Sequence, residues 1–288
     1  MALMASQQVT FLEWGKVKST ELNKQTGKQK QAITQRIPIV TTAKDLGIRT
    51  GADLNTLKEH IERYRVIKNK VLDKREEAMK SSDKVMLQVD WAENGILITP
   101  NEAQSAFYGG RGNWSIHTGY QYSKEICGGF VSMSDKKNHK AEAIHAALGP
   151  KIKELAETGY KEITVVSYSP TSQYRNGKNA YLTSKLAVDL GVRINWIFTQ
   201  SGHGKSPADG IGGNIKNKAQ EKLNMEPDLV MKTAGDVMEN IETNIEMKIH
   251  TKEDIDAVIK TMPEKVGALK KATEIHELVF EIDGKIKI

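Results

Sequence analysis

Asp90, Asp209, His203 and Lys205 have the side-chain types and the surroundings to do chemistry. Each lies at or just beyond a short apolar run. Residues 85–89 lead into Asp90-Trp91-Ala92-Glu93-Asn94. Residues 163–167 lead into Tyr168-Ser169-Pro170 and on through Thr171-Ser172-Gln173-Tyr174-Arg175-Asn176. Residues 202–213 carry His203, Lys205 and Asp209 among glycines and Pro207. The ends of neighbouring strands converge in space, so side chains far apart in sequence can share one site. Carboxylates there could bind hard divalent cations. Lys205 could hold a phosphate, and His203 could orient a nucleophile or a substrate oxygen. The glycines let backbone approach a ligand closely. A helix expected from about Asn214 would turn its free N–H groups toward them, which suits an anion. Plainer roles compete: Asp90 could cap the turn at Asn94-Gly95, and residues 169–176 could be a polar loop ending in a helix cap. Gly204-Lys205-Ser206 looks like the end of a phosphate-binding P-loop, but the glycine that motif needs five positions earlier is Thr199, so the P-loop reading is rejected.

These segments need a frame. Residues 1–84 are polar and rich in Lys, Gln and Glu, and read as a helical N-terminal region. Its best helix spans 51–80, with Leu54, Leu57, Ile61, Tyr64, Ile67 and Val71 at helical spacing and Asp53 as N-cap. Strands are expected at 85–89, 96–99, 114–122 and 128–133, the first two joined by a turn at Asn94-Gly95. A helix follows at 139–157, then a strand at 163–167. Another helix spans 178–190 and ends at Gly191. A strand at 193–199 and a helix at 214–223 complete a core over 85–223. Residues 224–288 read as a helical C-terminal extension closing in a β-hairpin around Asp283-Gly284. Antiparallel strands followed by strand–helix–strand alternation give a mixed α/β sheet, because the alternating part pairs in parallel through right-handed crossovers.

Composition narrows the function classes. The 288 residues are 39% hydrophobic and 27% charged, as in globular proteins. A net charge of +6 and a pI near 9.1 fit a nucleic-acid partner without requiring one. Cys127 is the single cysteine, which excludes an internal disulfide framework and a multi-cysteine zinc site, and suits a reducing compartment. No apolar stretch is long enough to span a bilayer, so no membrane role is expected.

Taken together, the motifs resemble those of DDE-type transposases, in a branch found in invertebrate and fish genomes with an RNase H-like catalytic domain. The resemblance rests on Asp90 with Glu93-Asn94, Glu102-Ala103-Gln104-Ser105, Ser134-Asp135 with His139 and Ala141, and Ser167-Tyr168-Ser169-Pro170-Thr171-Ser172-Gln173-Tyr174-Arg175-Asn176. It continues through Trp196 and Phe198 to His203-Gly204-Lys205 and Asp209-Gly210-Ile211-Gly212-Gly213. It implies an RNase H-like mixed sheet of three antiparallel strands followed by parallel ones, flanked by helices. It also implies DNA as partner, possible self-association into a homo-oligomer, a nuclear location and Mg²⁺ or Mn²⁺ as cofactor. Asp90 and Asp209 would be the first and third metal-binding acids, with His203 and Lys205 beside them. Arg175, Lys178, Lys205 and Lys216 would contact DNA. One departure stands out: Tyr168 occupies the position of the second Asp, and Gln200 stands where some relatives carry Glu. Two-metal phosphoryl transfer needs carboxylates to clamp both ions, and a neutral phenol is a poor substitute. The expected function is therefore a transposase-derived DNA-binding protein with a degenerate strand-transfer site. Two alternatives are an active transposase that recruits Glu93 or Asp135 as the missing ligand, and a non-catalytic interaction scaffold.

Overall fold

The computed structural model describes residues 11–19, 33–41, 51–96, 113–199 and 206–288. Two units divide the chain, 1–62 and 63–288. In the first, β1 (Phe11–Ser19) and β2 (Ile33–Thr41) pair antiparallel from Phe11↔Thr41 to Ser19↔Ile33. This corrects the expectation of a mostly helical region over 1–84 as far as 11–19 and 33–41 are concerned. The run of Ile33, Thr34, Ile37, Ile39, Val40 and Thr41 is β-branched, and such side chains favour the pleated surface of a sheet over a helix.

Helix α1 (Gly51–Lys80) has the expected span, although Asp53 lies inside it rather than capping it. Its residues from Arg63 onward belong to the second unit, where Ile67 and Ala78 are core, so the expected boundary at 84 falls too late. There the strands are β3 (Lys84–Ile96), β4 (Asn113–Tyr122), β5 (Cys127–Ser134), β6 (Glu162–Ser167) and β7 (Arg193–Phe198), followed by β8 (Glu246–Ile249), β9 (Glu277–Phe280) and β10 (Ile286–Lys287). The helices are α2 (Ala141–Glu157), α3 (Gly177–Leu190), α4 (Pro207–Met225), α5 (Ala234–Asn240) and α6 (Lys252–Lys260).

The sheet order is β10-β9-β7-β6-β3-β4-β5-β8. Its centre, β5-β4-β3-β6-β7, is the expected arrangement: β3, β4 and β5 form an antiparallel meander, while β6 and β7 run parallel to β3. The fold is RNase H-like mixed α/β. The last 65 residues are more than an extension, because they supply strands to both edges of the sheet, with β8 beside β5 and β9 beside β7. The terminal hairpin of β9 and β10 has the expected form.

Side chains alternate across β3 and divide the core into two layers. Val85, Leu87, Val89 and Trp91 pack with Ile144, Leu148 and Ile152 of α2 and Ala187 of α3. On the other face Met86 packs with Ile67 and Ala78 of α1. Further along that face, Trp114, Ile116, Val131 and Met133 meet Ile211, Ile215, Ala219 and Leu223 of α4. Gly191 ends α3 with a φ of 63°, the left-handed geometry glycine adopts freely at a helix end.

Two differences from the sequence reading bear on the site. The Asn94-Gly95 turn is not a turn: β3 continues through it to Ile96, with an irregularity between Ala92 and Gly95. And α4 begins at Pro207, not near Asn214, so the glycines at 210, 212 and 213 are helical. Ser206 as N-cap, Pro207 in the first turn and Asp209 at the third helical position form a start signal that outweighs the glycines. Gly212 has a packing reason. A Cβ there would come within 2.5 Å of the Ala92 Cβ, so its absence lets α4 lie directly on β3.

Candidate functional site

Asp90 belongs to the face of β3 that α4 covers, one position before Trp91, which points into the opposite layer. Trp91 N–H donates to Asp90 Oδ1 at 2.8 Å, and Thr118 Oγ1 on β4 donates to the Asp90 carbonyl at 3.1 Å. Asp209 stands in the first turn of α4, where its Oδ2 accepts the Ser206 N–H at 2.6 Å. The same carboxyl group is hydrogen-bonded to that of Asp90. Two carboxylates in contact cannot both ionise cheaply, least of all under a helix that excludes water. Burial first, and then the charge and hydrogen bond of Asp209, push Asp90 up to about 7, against the opposing pull of the Trp91 N–H. Asp209 therefore serves two purposes, as the cap that fixes the start of α4 and as the partner of a proton held on Asp90.

Tyr168 leaves the end of β6 beside this pair. Its phenol is pushed up to about 12 by burial, then by the charges of Asp209 and Asp90, and so stays neutral throughout the physiological range. Its backbone is held from both sides. Ser167 Oγ donates to the Tyr168 carbonyl at 3.0 Å and accepts from Trp196 Nε1 at 2.9 Å, while Ser169 Oγ donates to the Thr199 carbonyl. A narrow crevice beside the pair is lined by Gln88, Tyr168, Thr199 and Ser206. The structure thus brings together Asp90, Tyr168 and Asp209, three residues separated by 119 positions of sequence from first to last. Two of the three are carboxyl groups. Among the described residues, no three His, Cys, Asp or Glu side chains come together as a metal-ligand set.

A family model described as Domain of unknown function (DUF8701) matches residues 68–288. The chain belongs to this family. Comparison with curated proteins and with solved structures gives no match. The DUF8701 match begins within α1 and takes in the whole eight-stranded sheet, so every residue of the carboxyl pair and its surroundings lies inside it.

Other expected site residues of the DUF8701 region fall elsewhere. Arg175 is buried, with Nη1 donating to the Ile275 carbonyl at 3.1 Å. Its guanidinium ties down the C-terminal segment and is not available to DNA, which corrects its assignment as a DNA contact. Lys178 is exposed at the start of α3, on the sheet face opposite α4 and hence away from the carboxyl pair. Lys216 lies on α4, the helix that carries Asp209. Asp135 accepts the Ala234 N–H at 2.8 Å, at the start of α5. His203, Lys205, Gln200 and residues 102–105 lie outside the described residues, as does the side chain of Glu93.

The sequence reading missed a cluster behind the pair. Tyr174 is fully buried, its hydroxyl 3.2 Å from His117 Nε2, and burial and then the charge of Asp90 raise it well above the ordinary tyrosine range. Trp91 stacks on His139 with ring centroids 4.4 Å apart and meets His117 edge-on at 4.8 Å. His250 Nδ1 lies 2.8 Å from Ser132 Oγ. Burial, then the neighbouring histidines, push His117 down to about 3, so this layer is neutral. Alternation along β4 was the available signal: His117 sits opposite Trp91 in the β3–β4 register and must share its face.

Proposed function

We propose that this chain is a transposase-derived, RNase H-like DNA-binding protein that holds DNA and cuts it negligibly. The observation that carries this reading is the phenol of Tyr168 beside the carboxyl groups of Asp90 and Asp209, at the centre of an RNase H-like sheet. A pair of Mg²⁺ or Mn²⁺ ions needs several charged oxygens to offset the repulsion between the ions. Among the described residues the donor set is two carboxyl groups, and one oxygen of each already accepts a backbone N–H, from Trp91 and from Ser206. These residues do not fit a two-metal centre. Their own part is structural: Asp209 caps the start of α4 and faces Asp90 on β3, with Tyr168 beside them.

Binding to DNA is supported by the net charge of +6 and by the lysines of α4, with Lys216 nearest the start of that helix. Lys205 and His203 belong to the same proposal on the strength of their motif, and so do a nuclear location and self-association. Contacts to phosphate without base readout give weak, sequence-tolerant binding that falls steeply with salt, because each neutralised phosphate releases counterions. The test measures duplex affinity between about 50 and 200 mM salt, together with Mn²⁺ binding by the unmodified and Tyr168→Asp proteins. The reading expects a steep negative salt slope, and Mn²⁺ binding that is strengthened by the added carboxylate. A flat slope would favour an interaction scaffold. Equally tight Mn²⁺ binding by both proteins would show that Tyr168 does not impair the site.

A further inference from the structure

The net charge is not spread evenly along the chain. Residues 11–41 hold six Lys or Arg and two Glu, a net +4 of the whole chain's +6. They contain β1 and β2, and they lie ahead of the segment 68–288 that the DUF8701 model matches. The DUF8701 fold therefore does not account for most of the charge.

The β1–β2 register sorts these residues by face. Successive residues of a strand belong to opposite faces, and cross-strand partners share one. Phe11, Val17, Ile33, Ile37 and Ile39 fall on one face. On the other, Lys16 and Arg36 are direct partners, and Lys18, partnered by Thr34, is two places along from Lys16. Glu13, the one acidic residue of the two strands, belongs to the apolar face. Like charges placed directly opposite each other destabilise a sheet. A strand face that is merely solvated gains by setting Lys against Glu, whereas this one sets Lys against Arg. A bound anion removes that cost. It must be an extended one, because positions 16 and 18 are about 7 Å apart along the strand.

The ribbon has the dimensions of one such ligand. Its strands lie about 5 Å apart, and the major groove of B-DNA, about 12 Å wide, admits a two-stranded ribbon. Another strand is a poor occupant: β1 and β2 form a two-stranded sheet, and Pro38 lacks an N–H to offer a strand joining β2. We propose that β1 and β2 form a basic ribbon that seats in the major groove of duplex DNA, with Lys16, Lys18 and Arg36 on the phosphates that flank it. This rests on the reading of the chain as a DNA-binding protein, and assigns the larger share of the contact to the ribbon rather than to α4.

Fluorescence anisotropy of a labelled mixed-sequence duplex, titrated with the full chain between about 50 and 200 mM salt, tests this. The triple variant Lys16→Gln, Lys18→Gln, Arg36→Gln is expected to flatten the slope of log affinity against log salt by about 2 to 3, at roughly 0.9 per lost phosphate contact. An equal loss of charge at exposed lysines of the other unit, Lys260→Gln, Lys265→Gln, Lys270→Gln, is expected to leave slope and affinity as they are. Lys16→Arg, Lys18→Arg, Arg36→Lys keeps the charge and is expected to keep the slope, which separates lost contacts from a lost ribbon. An RNA duplex of the same sequence carries the same phosphates around a deep, narrow major groove, and is expected to bind at least about tenfold more weakly. A slope unchanged by the ribbon triple, a slope lowered as much by the other unit's triple or by the charge-keeping one, or equal binding of the RNA duplex overturns this proposal alone. No binding of either duplex overturns it together with the reading it rests on.

Discussion

Replacing Asp90 by asparagine removes the titration of the carboxyl pair while keeping its shape. The side-chain carbonyl oxygen of the Asp90→Asn variant can still accept the Trp91 N–H, and its amide can donate to Asp209 in place of the proton on Asp90. In the unmodified protein Asp90 titrates at about 7 when folded, against an ordinary value of 3.8. Between these values the folded state holds a proton that the unfolded state releases. Stability is therefore highest at low pH with respect to this group, falls as pH rises from about 4 through 7, and levels off above. A shift of roughly three pKa units corresponds to a ceiling of about 4 kcal/mol at pH 8, of which about 2 kcal/mol is already lost at pH 5. The asparagine variant has no such loss. Its advantage over the unmodified protein should grow by about 2 to 3 kcal/mol from pH 5 to pH 8, or about 5–10 °C in Tm for a unit of this size. Urea denaturation followed by tryptophan fluorescence, with EDTA present at both pH values, measures it, since Trp91, Trp114 and Trp196 are all buried. A difference that does not change with pH, or a variant less stable than its parent at pH 8, refutes the raised Asp90.

Gly212→Ala should destabilise the fold by about 1–3 kcal/mol, since the new methyl group meets the Ala92 Cβ at 2.5 Å and must push α4 off β3; denaturation midpoints check it, and no loss would mean that α4 is not seated on the sheet. Trp196→Ala should cost about 3–5 kcal/mol, because the ring is fully buried and its Nε1 holds the Ser167 hydroxyl that anchors Tyr168; equilibrium unfolding measures the cost, and a value below about 1 kcal/mol would contradict the packing. Burial holds His117 down near 3 and His145 and His250 near 4, all below their unfolded value of 6.5. The stability from these neutral rings is present above about pH 6.5 and is lost as pH falls toward 4. In an Asp90→Asn background, which removes the opposing carboxyl slope, His117→Gln should flatten the fall in Tm between pH 6.5 and pH 4; an unchanged slope would count against a buried neutral His117.

Much of this was legible in the sequence because the core writes its period plainly. Residues 85–89, 114–122, 128–133 and 163–167 each lie on a strand of the central sheet, 193–199 overruns its strand by one residue, and Asp90 stands out because it follows an apolar run. The errors have physical causes. Gly210, Gly212 and Gly213 read as a loop because glycine is a poor helix former, but a capping signal at Ser206, Pro207 and Asp209 and the need for close contact with Ala92 override that preference. Asn94-Gly95 read as a turn, while its neighbours on β4 keep it extended. Strand β8 is short and sits at an edge, with only Glu246 to Ile249 to signal it. For the site, Arg175 looked like a free cation because nothing local shows that the Ile275 carbonyl, 100 residues away, will cover it. The upward push on Asp90 is likewise unreadable, since it follows first from burial under α4 and then from the nearness of Asp209, neither of which shows in the sequence.

The central claim concerns cutting. An end-labelled DNA duplex incubated with Mn²⁺ and the unmodified protein, beside Asp90→Ala and Tyr168→Asp, tests it most directly. Nicking by the unmodified protein is expected to be no greater than that by Asp90→Ala. Robust metal-dependent cleavage by the unmodified protein, abolished in Asp90→Ala, would contradict it, because it would show that a phenol beside Asp90 and Asp209 does not disable the site.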